Sequence, residues 1–159
     1  MQRTLVLLKP DAIQRGLVGE VTSRFERKGL KLTGMKMIAL SEIMLEEHYS
    51  HIADKPFFTE LSSFMKSSPV IAQCWEGKDA VKTVRNLCGL TNAREAAPGT
   101  IRGDFAMSVQ CNVVHASEDA QAARKELTRF FVGEDFFEYE KNEYMIAYSA
   151  DERESVRRF

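Results

Sequence analysis

The sequence has no large excess of charge of either sign, and this argues against a protein that binds nucleic acid or anionic lipid through its overall field. Its 22 Lys and Arg residues and 23 Asp and Glu residues leave a formal net charge of -1. A site for an anion therefore has to be built locally from a few side chains. With 44% hydrophobic and 28% charged residues, the composition is also unlike that of disordered chains.

Cysteine is scarce, which excludes a disulfide framework. The three cysteines, Cys74, Cys88 and Cys111, are odd in number and too far apart for a CxxC metal site. We predict buried free thiols, which are typical of a reducing compartment, and hence a cytoplasmic protein.

Long hydrophobic runs are absent as well. The first apolar run, Leu5 to Leu8, ends at Lys9, so it is too short for a signal peptide. No segment approaches the roughly 20 apolar residues of a membrane helix. We expect neither a signal peptide nor a membrane span.

A length of 159 residues predicts a single domain, 1–159, in which residues 132–159 form a C-terminal tail. The hydrophobic pattern predicts the order β-α-β-α-α-β-α-loop-β-α. The predicted strands are TLVLL, LKLTGMKMIAL, PVIAQCW and SVQCNVVH, and the long connection is 90–107. This alternation by itself favours an α/β fold with a parallel sheet.

Glycine-rich phosphate loops are missing, since neither GxxxxGK[ST] nor GxGxxG occurs. A nucleotide would have to be held by convergent cationic side chains. Lys9, Arg85 and Arg102 are candidates, although each taken alone is more typical of a solvated surface charge.

The stretch NVVHASED places His115 near the end of a predicted strand. If Ser117 caps a helix that begins at Glu118, the chain returns Glu126 towards His115. A carboxylate in that place would orient the imidazole. The residues alone leave open that His115 is a hydrogen-bonded structural histidine.

The remaining histidines predict no metal site, and a pair of phenylalanines offers a candidate for stacking on a base. His48 and His51 lie on a predicted helix edge and form no HExxH motif, which argues against a zinc enzyme. Phe57 and Phe58 cannot both point into the core, so one of them is expected at a cleft, where its ring could stack on a base.

Taken together, these segments resemble the nucleoside diphosphate kinase family from about Thr4 to Phe131. The resemblance rests on TLVLLKPDAIQRGLVGEV, FERKGLKL, EEHY, KPFF, AVKTVR, AAPGTIRGDF and NVVHAS. The last segment carries the family's N-x-x-H-x-S signature.

The resemblance implies an α+β, ferredoxin-like sandwich with a four-stranded antiparallel sheet and helices packed on it, in place of the parallel sheet. It also implies a homo-oligomer, usually a hexamer or a tetramer. The connection 90–107 would be shared between the active site and subunit contacts.

The resemblance further implies a ping-pong phosphotransferase. His115 would take the γ-phosphoryl group of ATP or another nucleoside triphosphate and pass it to a nucleoside diphosphate. Glu126 and Ser117 would orient His115, and Mg²⁺ would be bound mainly through the nucleotide phosphates. The residues implied to bind the nucleotide are Lys9, Tyr49, Phe57, Leu61, Arg85, Thr91, Arg102, Val109 and Asn112.

Base stacking between Phe57 and Val109 would give little base specificity, because every base has a π face. Two departures from the common family pattern bear on nucleotide affinity and assembly. Ala116 stands where glycine is usual, and Gln110 with Cys111 replaces a frequent Gly-Arg pair.

Two alternative functions would require features that differ from those of a kinase. A catalytically weak member that serves as an interaction or regulatory module would lack an active-site histidine, arginine or lysine, and none is missing. A ferredoxin-like RNA-binding domain would carry paired aromatics on its central strands. The predicted strands offer Val, Leu, Met and Cys instead, so no nucleic acid is required.

Overall fold

A four-stranded antiparallel sheet forms the centre of the computed structural model, which describes residues 1–156. The strands are β1 (Gln2–Leu8), β2 (Lys31–Ile38), β3 (Val70–Gly77) and β4 (Val114–Ala116). Their order across the sheet is β2-β3-β1-β4, and every neighbouring pair is antiparallel. The ferredoxin-like prediction is confirmed.

The prediction of a parallel sheet, which came from the order of strands and helices, is wrong because of how the strands are connected. The first helical crossover leaves a gap between β1 and β2, and β3 enters that gap antiparallel to both. Alternating strands and helices do not reveal whether a later strand fills such a gap.

Helices cover both faces of the sheet. They are α1 (Pro10–Gln14), α2 (Val18–Arg27), α3 (Glu42–His48), α4 (Phe58–Lys66), α5 (Ala80–Cys88), α6 (Ile101–Phe105), α7 (Ala120–Phe130), α8 (Tyr144–Ala147) and α9 (Ala150–Val156). Side chains alternate along β1, so Val6 packs into one core with α2 and α5. Leu7 packs into the other core with α3, α4 and α7.

Strand β4 is shorter than predicted, and this matters for the site. The predicted strand SVQCNVVH is extended only from Val114, because Val113 has a left-handed backbone with φ of 74°. The preceding segment is irregular and leaves Cys111 exposed. The expectation of buried thiols therefore holds for Cys74 and Cys88 and is wrong for Cys111.

Two other boundaries differ from the prediction. The connection 90–107 contains α6, whose first turn is capped by the side chain of Thr100. Helix α7 begins at Ala120 and is capped by Asp119 rather than Ser117, which leaves the Ser117 hydroxyl available for another partner.

The tail packs back along the edge of the sheet. It begins with a 3-10 turn, Gly133–Asp135, and continues into α8 and α9. The backbone N–H of Phe137 donates to the carbonyl of Thr33 at 2.8 Å, and the Tyr144 hydroxyl donates to the carbonyl of Glu76 at 3.2 Å. Among residues 1–156, no helix has the length and hydropathy needed to cross a bilayer.

Candidate active site

His115 and Ser117 share one carboxylate. Nε2 of His115 lies 3.1 Å from Oε1 of Glu126, and the Ser117 hydroxyl donates to Oε2 at 2.6 Å. The same hydroxyl accepts a hydrogen bond from the backbone N–H of Leu5 at 3.3 Å. The three residues predicted from the sequence therefore meet, although Ser117 acts through Glu126 and not as a helix cap.

The environment keeps Glu126 ionised. Burial opposes ionisation, but the hydrogen bonds from His115 and Ser117 outweigh it and lower the pKa of Glu126 to about 2. An ionised carboxylate only accepts hydrogen bonds. In its neutral form, His115 therefore carries its proton on Nε2 and keeps its lone pair on Nδ1.

The backbone just before His115 is strained. Val113 is fully buried and has a left-handed conformation, which is rare for a β-branched residue. Two hydrogen bonds hold it there: its N–H donates to Oδ2 of Asp11 at 2.9 Å, and its carbonyl accepts from the N–H of Lys9 at 2.9 Å. Strain of this kind is typical of positions that fix a functional side chain.

A pocket of about 520 Å³ opens in front of His115. Eight of the residues predicted to form the site line it: Lys9, Tyr49, Leu61, Arg85, Thr91, Arg102, His115 and Glu126. Lys125 and Arg129 add two further cations. Positive side chains thus come together in this pocket although the chain has almost no net charge. This is the local arrangement that an anion site in such a chain needs.

Lys9 and Asn112 form a buried pair at the end of β1. The Lys9 ammonium donates to Oδ1 of Asn112 at 2.7 Å and to the carbonyl of Gln110 at 3.1 Å. The Asn112 amide in turn donates to the carbonyls of Thr91 and Val109. Burial, and then the nearby Arg102, lower the pKa of Lys9 to about 8.

Arg102 is fixed by the backbone and not by a carboxylate. Its Nη1 and Nη2 atoms donate to the carbonyls of Gly89 and Val114, both at 2.8 Å. Burial lowers its pKa from the usual value. Arg85 lies close to the strand that bears His115, where its Nη1 donates to the carbonyl of Ala116 at 3.4 Å.

His48 is a residue whose place the sequence did not predict. It is buried and not on a helix edge, and its ring packs edge-on against His115 with centroids 4.6 Å apart. Arg129 Nη1 donates to its Nδ1 at 3.2 Å. Burial and the neighbouring His115 lower the pKa of His48 to about 3. Its position within EEHY, next to Tyr49, was the available signal.

Phe57 and Val109 do not line the pocket. Phe58 is buried and Phe57 is 50% exposed, which confirms that one of the two phenylalanines remains outside the core. Val109 is 51% exposed. The structure leaves both predicted base contacts available to a ligand without bringing them into the pocket wall.

The described side chains bring one group of potential metal ligands close together. Among the side chains of residues 1–153, this group is His48, His115 and Glu126. It offers two nitrogens and one oxygen, whereas Mg²⁺ prefers six oxygen ligands. Glu126 is also already bound to His115 and Ser117.

Comparison with known proteins gives a consistent result. Residues 2–136 match the family profile described as nucleoside diphosphate kinase. The nucleoside diphosphate kinase of Parabacteroides distasonis is 53% identical over 96% of this chain and 99% of its own length. That of Archaeoglobus fulgidus is 52% identical over 89% of this chain and 93% of its own. Nucleoside diphosphate kinase A of Mus musculus is 48% identical over 87% of this chain and 91% of its own.

Solved structures give the same result for the fold. A halophilic nucleoside diphosphate kinase from Halobacterium salinarum, solved in complex with CDP, has a TM-score of 0.90 at 43% identity and covers 93% of this chain and 99% of its own. A nucleoside diphosphate kinase family protein from Babesia bovis has a TM-score of 0.89 at 43% identity, over 93% of this chain and 100% of its own.

Proposed function

The chain belongs to the nucleoside diphosphate kinase family, and we propose that it transfers phosphoryl groups between nucleotides through a phosphohistidine on His115. The observation that carries this proposal is the contact between His115 Nε2 and the Glu126 carboxylate at 3.1 Å. That contact directs the proton to Nε2 and leaves Nδ1 as the nucleophile.

In the first half-reaction, the lone pair of His115 Nδ1 attacks the γ-phosphorus of a nucleoside triphosphate. The bond between that phosphorus and the bridging oxygen breaks, and the nucleoside diphosphate leaves with the electron pair. In the second half, the terminal phosphate oxygen of another nucleoside diphosphate attacks the phosphohistidine, and Nδ1 recovers its lone pair. Glu126 stabilises the positive charge that develops on the imidazole.

Fixed cations supply the stabilisation that phosphoryl transfer needs. Charge spreads over the phosphoryl oxygens in a loose transition state, so catalysis depends on positioning and electrostatics. Arg102 and Arg85 are held beside the pocket by hydrogen bonds to the backbone. With Thr91 they bind the β and γ phosphates, and the Tyr49 hydroxyl adjoins the transferred group.

The sugar and base bind further out. Lys9 and Asn112 contact the ribose hydroxyls, and their mutual hydrogen bond of 2.7 Å fixes both. Phe57 and Val109 clamp the base by its faces, beside Leu61. Because no hydrogen bond to a base edge is required, purines and pyrimidines are both accepted.

Mg²⁺ would be carried into the pocket by the nucleotide substrate and held mainly by its phosphate oxygens. The chemistry of the ion supports this assignment, because Mg²⁺ is usually bound through substrate phosphates with one or two carboxylates at most. When bound, the ion neutralises part of the phosphate charge.

The experiment that tests this function is intact-mass analysis after brief Mg-ATP treatment and removal of nucleotide. We expect a single phosphoryl adduct that is lost in acid and discharged by GDP with formation of GTP. His115→Asn should carry no adduct and should lose activity by about 10⁴-fold or more. A folded wild-type protein without an adduct, or with an acid-stable adduct that GDP leaves untouched, would instead favour the non-catalytic interaction module.

The remaining expectations concern assembly and location. We propose one domain, 1–159, with residues 132–159 as its tail, in a cytoplasmic homo-oligomer, a hexamer or a tetramer. Exposed Met35 and Met37 on edge strand β2 support association, and free buried Cys74 and Cys88 support a reducing compartment. Light scattering coupled to gel filtration distinguishes monomer, tetramer and hexamer.

A further inference from the structure

Arg129 lies three residues after Glu126 on helix α7, but its closest ionic partner is the Glu47 carboxylate and not that of Glu126. Opposite charges at this spacing ordinarily meet on the surface of a helix. Here both carboxylate oxygens are bound by His115 and Ser117. The Arg129 guanidinium instead reaches helix α3, where Nη1 lies 3.2 Å from His48 Nδ1 and Nε lies 3.0 Å from Oε1 of Glu47.

The contact with Arg129 defines the state of His48. A guanidinium only donates hydrogen bonds, so His48 Nδ1 is the acceptor and the ring is neutral with its proton on Nε2. Nδ1 also lies 4.0 Å from Oε1 of Glu126. The acceptor atom of His48 therefore lies near both the arginine and the carboxylate.

Three aromatic rings fix the position of His48. Its ring packs edge-on against Tyr49, His115 and Phe130, with centroids 4.7, 4.6 and 5.1 Å apart. A residue held in this way keeps its acceptor at one place, and the side chain is 1% exposed. Water does not compete with Arg129 for the acceptor.

We propose that His48 is a positioning residue, which holds the Arg129 guanidinium away from Glu126 and so reserves that carboxylate for His115. The proposal rests on the assignment of His115 as the nucleophile. Glu47 assists by pairing with Nε of Arg129 from the exposed side.

Loss of the acceptor would have a specific consequence. Arg129 is only 15% exposed, and an Nη1 group that loses its acceptor can pair instead with the Glu126 carboxylate, whose Oε1 lies 4.0 Å from the position of His48 Nδ1. Glu126 would then form a charge-assisted pair with Arg129 and would bind Nε2 of His115 less tightly. The proton of His115 would no longer be confined to Nε2, and the population with a free Nδ1 would fall.

The test is a double-mutant cycle between His48→Phe and Arg129→Leu. His48→Phe keeps an aromatic ring of similar size and removes the acceptor, and Arg129→Leu removes the competing cation. We expect His48→Phe to slow phosphorylation of His115 by about 10 to 100-fold with little change in KM, as for residues that orient a ligand through another group. The double variant should recover the rate of Arg129→Leu.

A double variant that is folded yet as slow as His48→Phe would overturn the proposal, because the loss would then come from ring packing alone. Glu47→Ala provides a second route if His48→Phe does not fold, since the Glu47 side chain is 62% exposed. It should slow phosphorylation by several-fold, and Arg129→Leu should remove that loss. No loss in Glu47→Ala together with an unfolded His48→Phe would count against the proposal.

Nitrogen NMR of the His115 ring separates this proposal from the proposed function. The wild-type ring should show a protonated Nε2 and an unprotonated Nδ1, and His48→Phe should show a mixture that Arg129→Leu reverses. This readout needs no turnover. If the wild-type protein forms no phosphohistidine but His48→Phe still shows the tautomer mixture, the kinase mechanism alone is refuted. If the His115 ring is unchanged in His48→Phe, the positioning role alone is refuted.

Discussion

Nε2 of His115 lies 3.1 Å from Oε1 of Glu126, and this relationship assigns a role to each nitrogen of the imidazole. The carboxylate accepts a hydrogen bond from the N–H of Nε2, so Nδ1 is the nitrogen that keeps its lone pair and that we propose as the nucleophile. Ser117 holds the second carboxylate oxygen at 2.6 Å. The orientation of the ring thus depends on a carboxylate that is itself held in place.

Replacement of Glu126 by glutamine tests this relationship. The amide can donate to Nε2 of His115, which favours a proton on Nδ1 and removes the nucleophilic lone pair. We expect Glu126→Gln to slow phosphorylation by about 10 to 100-fold with nearly unchanged KM, measured by rapid-quench kinetics. Glu46→Gln, an exposed neighbour on α3, is the control. A Glu126→Gln enzyme as fast as wild type would contradict the assigned tautomer.

The pH dependence of nucleotide capture should follow Lys9. Its pKa in the folded protein is lowered to about 8, so its positive charge is lost as pH rises through about 8, and anionic nucleotides bind less well. We therefore expect kcat/KM, which reports ionisations of the free enzyme, to fall above pH 8. Lys9→Arg, which keeps its charge, should show a flatter profile; an equal fall in that variant would assign the ionisation elsewhere.

The loss of the Lys9 proton should change the stability of the fold in the direction opposite to its effect on activity. Stability should rise as pH increases above about 8. Burial disfavours the charged form of Lys9, so its destabilising contribution is fully present below pH 8. That contribution is relieved between about 8 and the ordinary value of 10.5. A loss of activity above pH 8 without a loss of stability in urea therefore indicates reduced binding and not unfolding.

Arg102 should matter for stability as well as for binding. Arg102→Lys loses the planar fork that reaches the carbonyls of Gly89 and Val114. We expect a loss of about 1–3 kcal/mol in the free energy of unfolding and a higher KM for every nucleotide, measured by urea titration and steady-state kinetics. Arg94→Lys is the matched control, since the exposed Arg94 guanidinium donates a hydrogen bond to one backbone carbonyl, that of Met107. Equal effects in the two variants would refute the special role of Arg102.

Phe57 should contribute to affinity without selecting among bases. Phe57→Ala removes an exposed ring, and stacking on one base contributes about 1–3 kcal/mol. We expect KM to rise about ten-fold for ATP, GTP, CTP and UTP alike. A rise confined to one base would point to recognition of a base edge.

Much of the fold followed from local pattern. The short apolar run TLVLL predicted a buried strand, and the hydrophobic pattern predicted the helix that follows it. The strand predicted to end at His115 was too long, because a left-handed residue such as Val113 gives no local signal. Its conformation depends on Asp11, 102 positions away in sequence.

The site was predictable in its members but not in its contacts. The NVVHAS stretch and its family resemblance pointed to His115, Ser117 and Glu126, whereas the cap assigned to Ser117 was wrong. His48 was noticed and placed on a helix edge, because the sequence does not show that α3 packs against α7. The contacts of Arg129 on α7 with His48 and Glu47 on α3 form only when these two helices pack together.

By itself, the sequence determined the residue types that the chemistry needs, the short apolar runs that form the strands and the family to which the chain belongs. The tertiary structure decided which strands are neighbours, and it brought His115 and Glu126 within hydrogen-bond distance. It also directed Arg129 to His48. The physical reason is that burial and hydrogen-bond geometry depend on elements distant in sequence, so they arise only when those elements pack together.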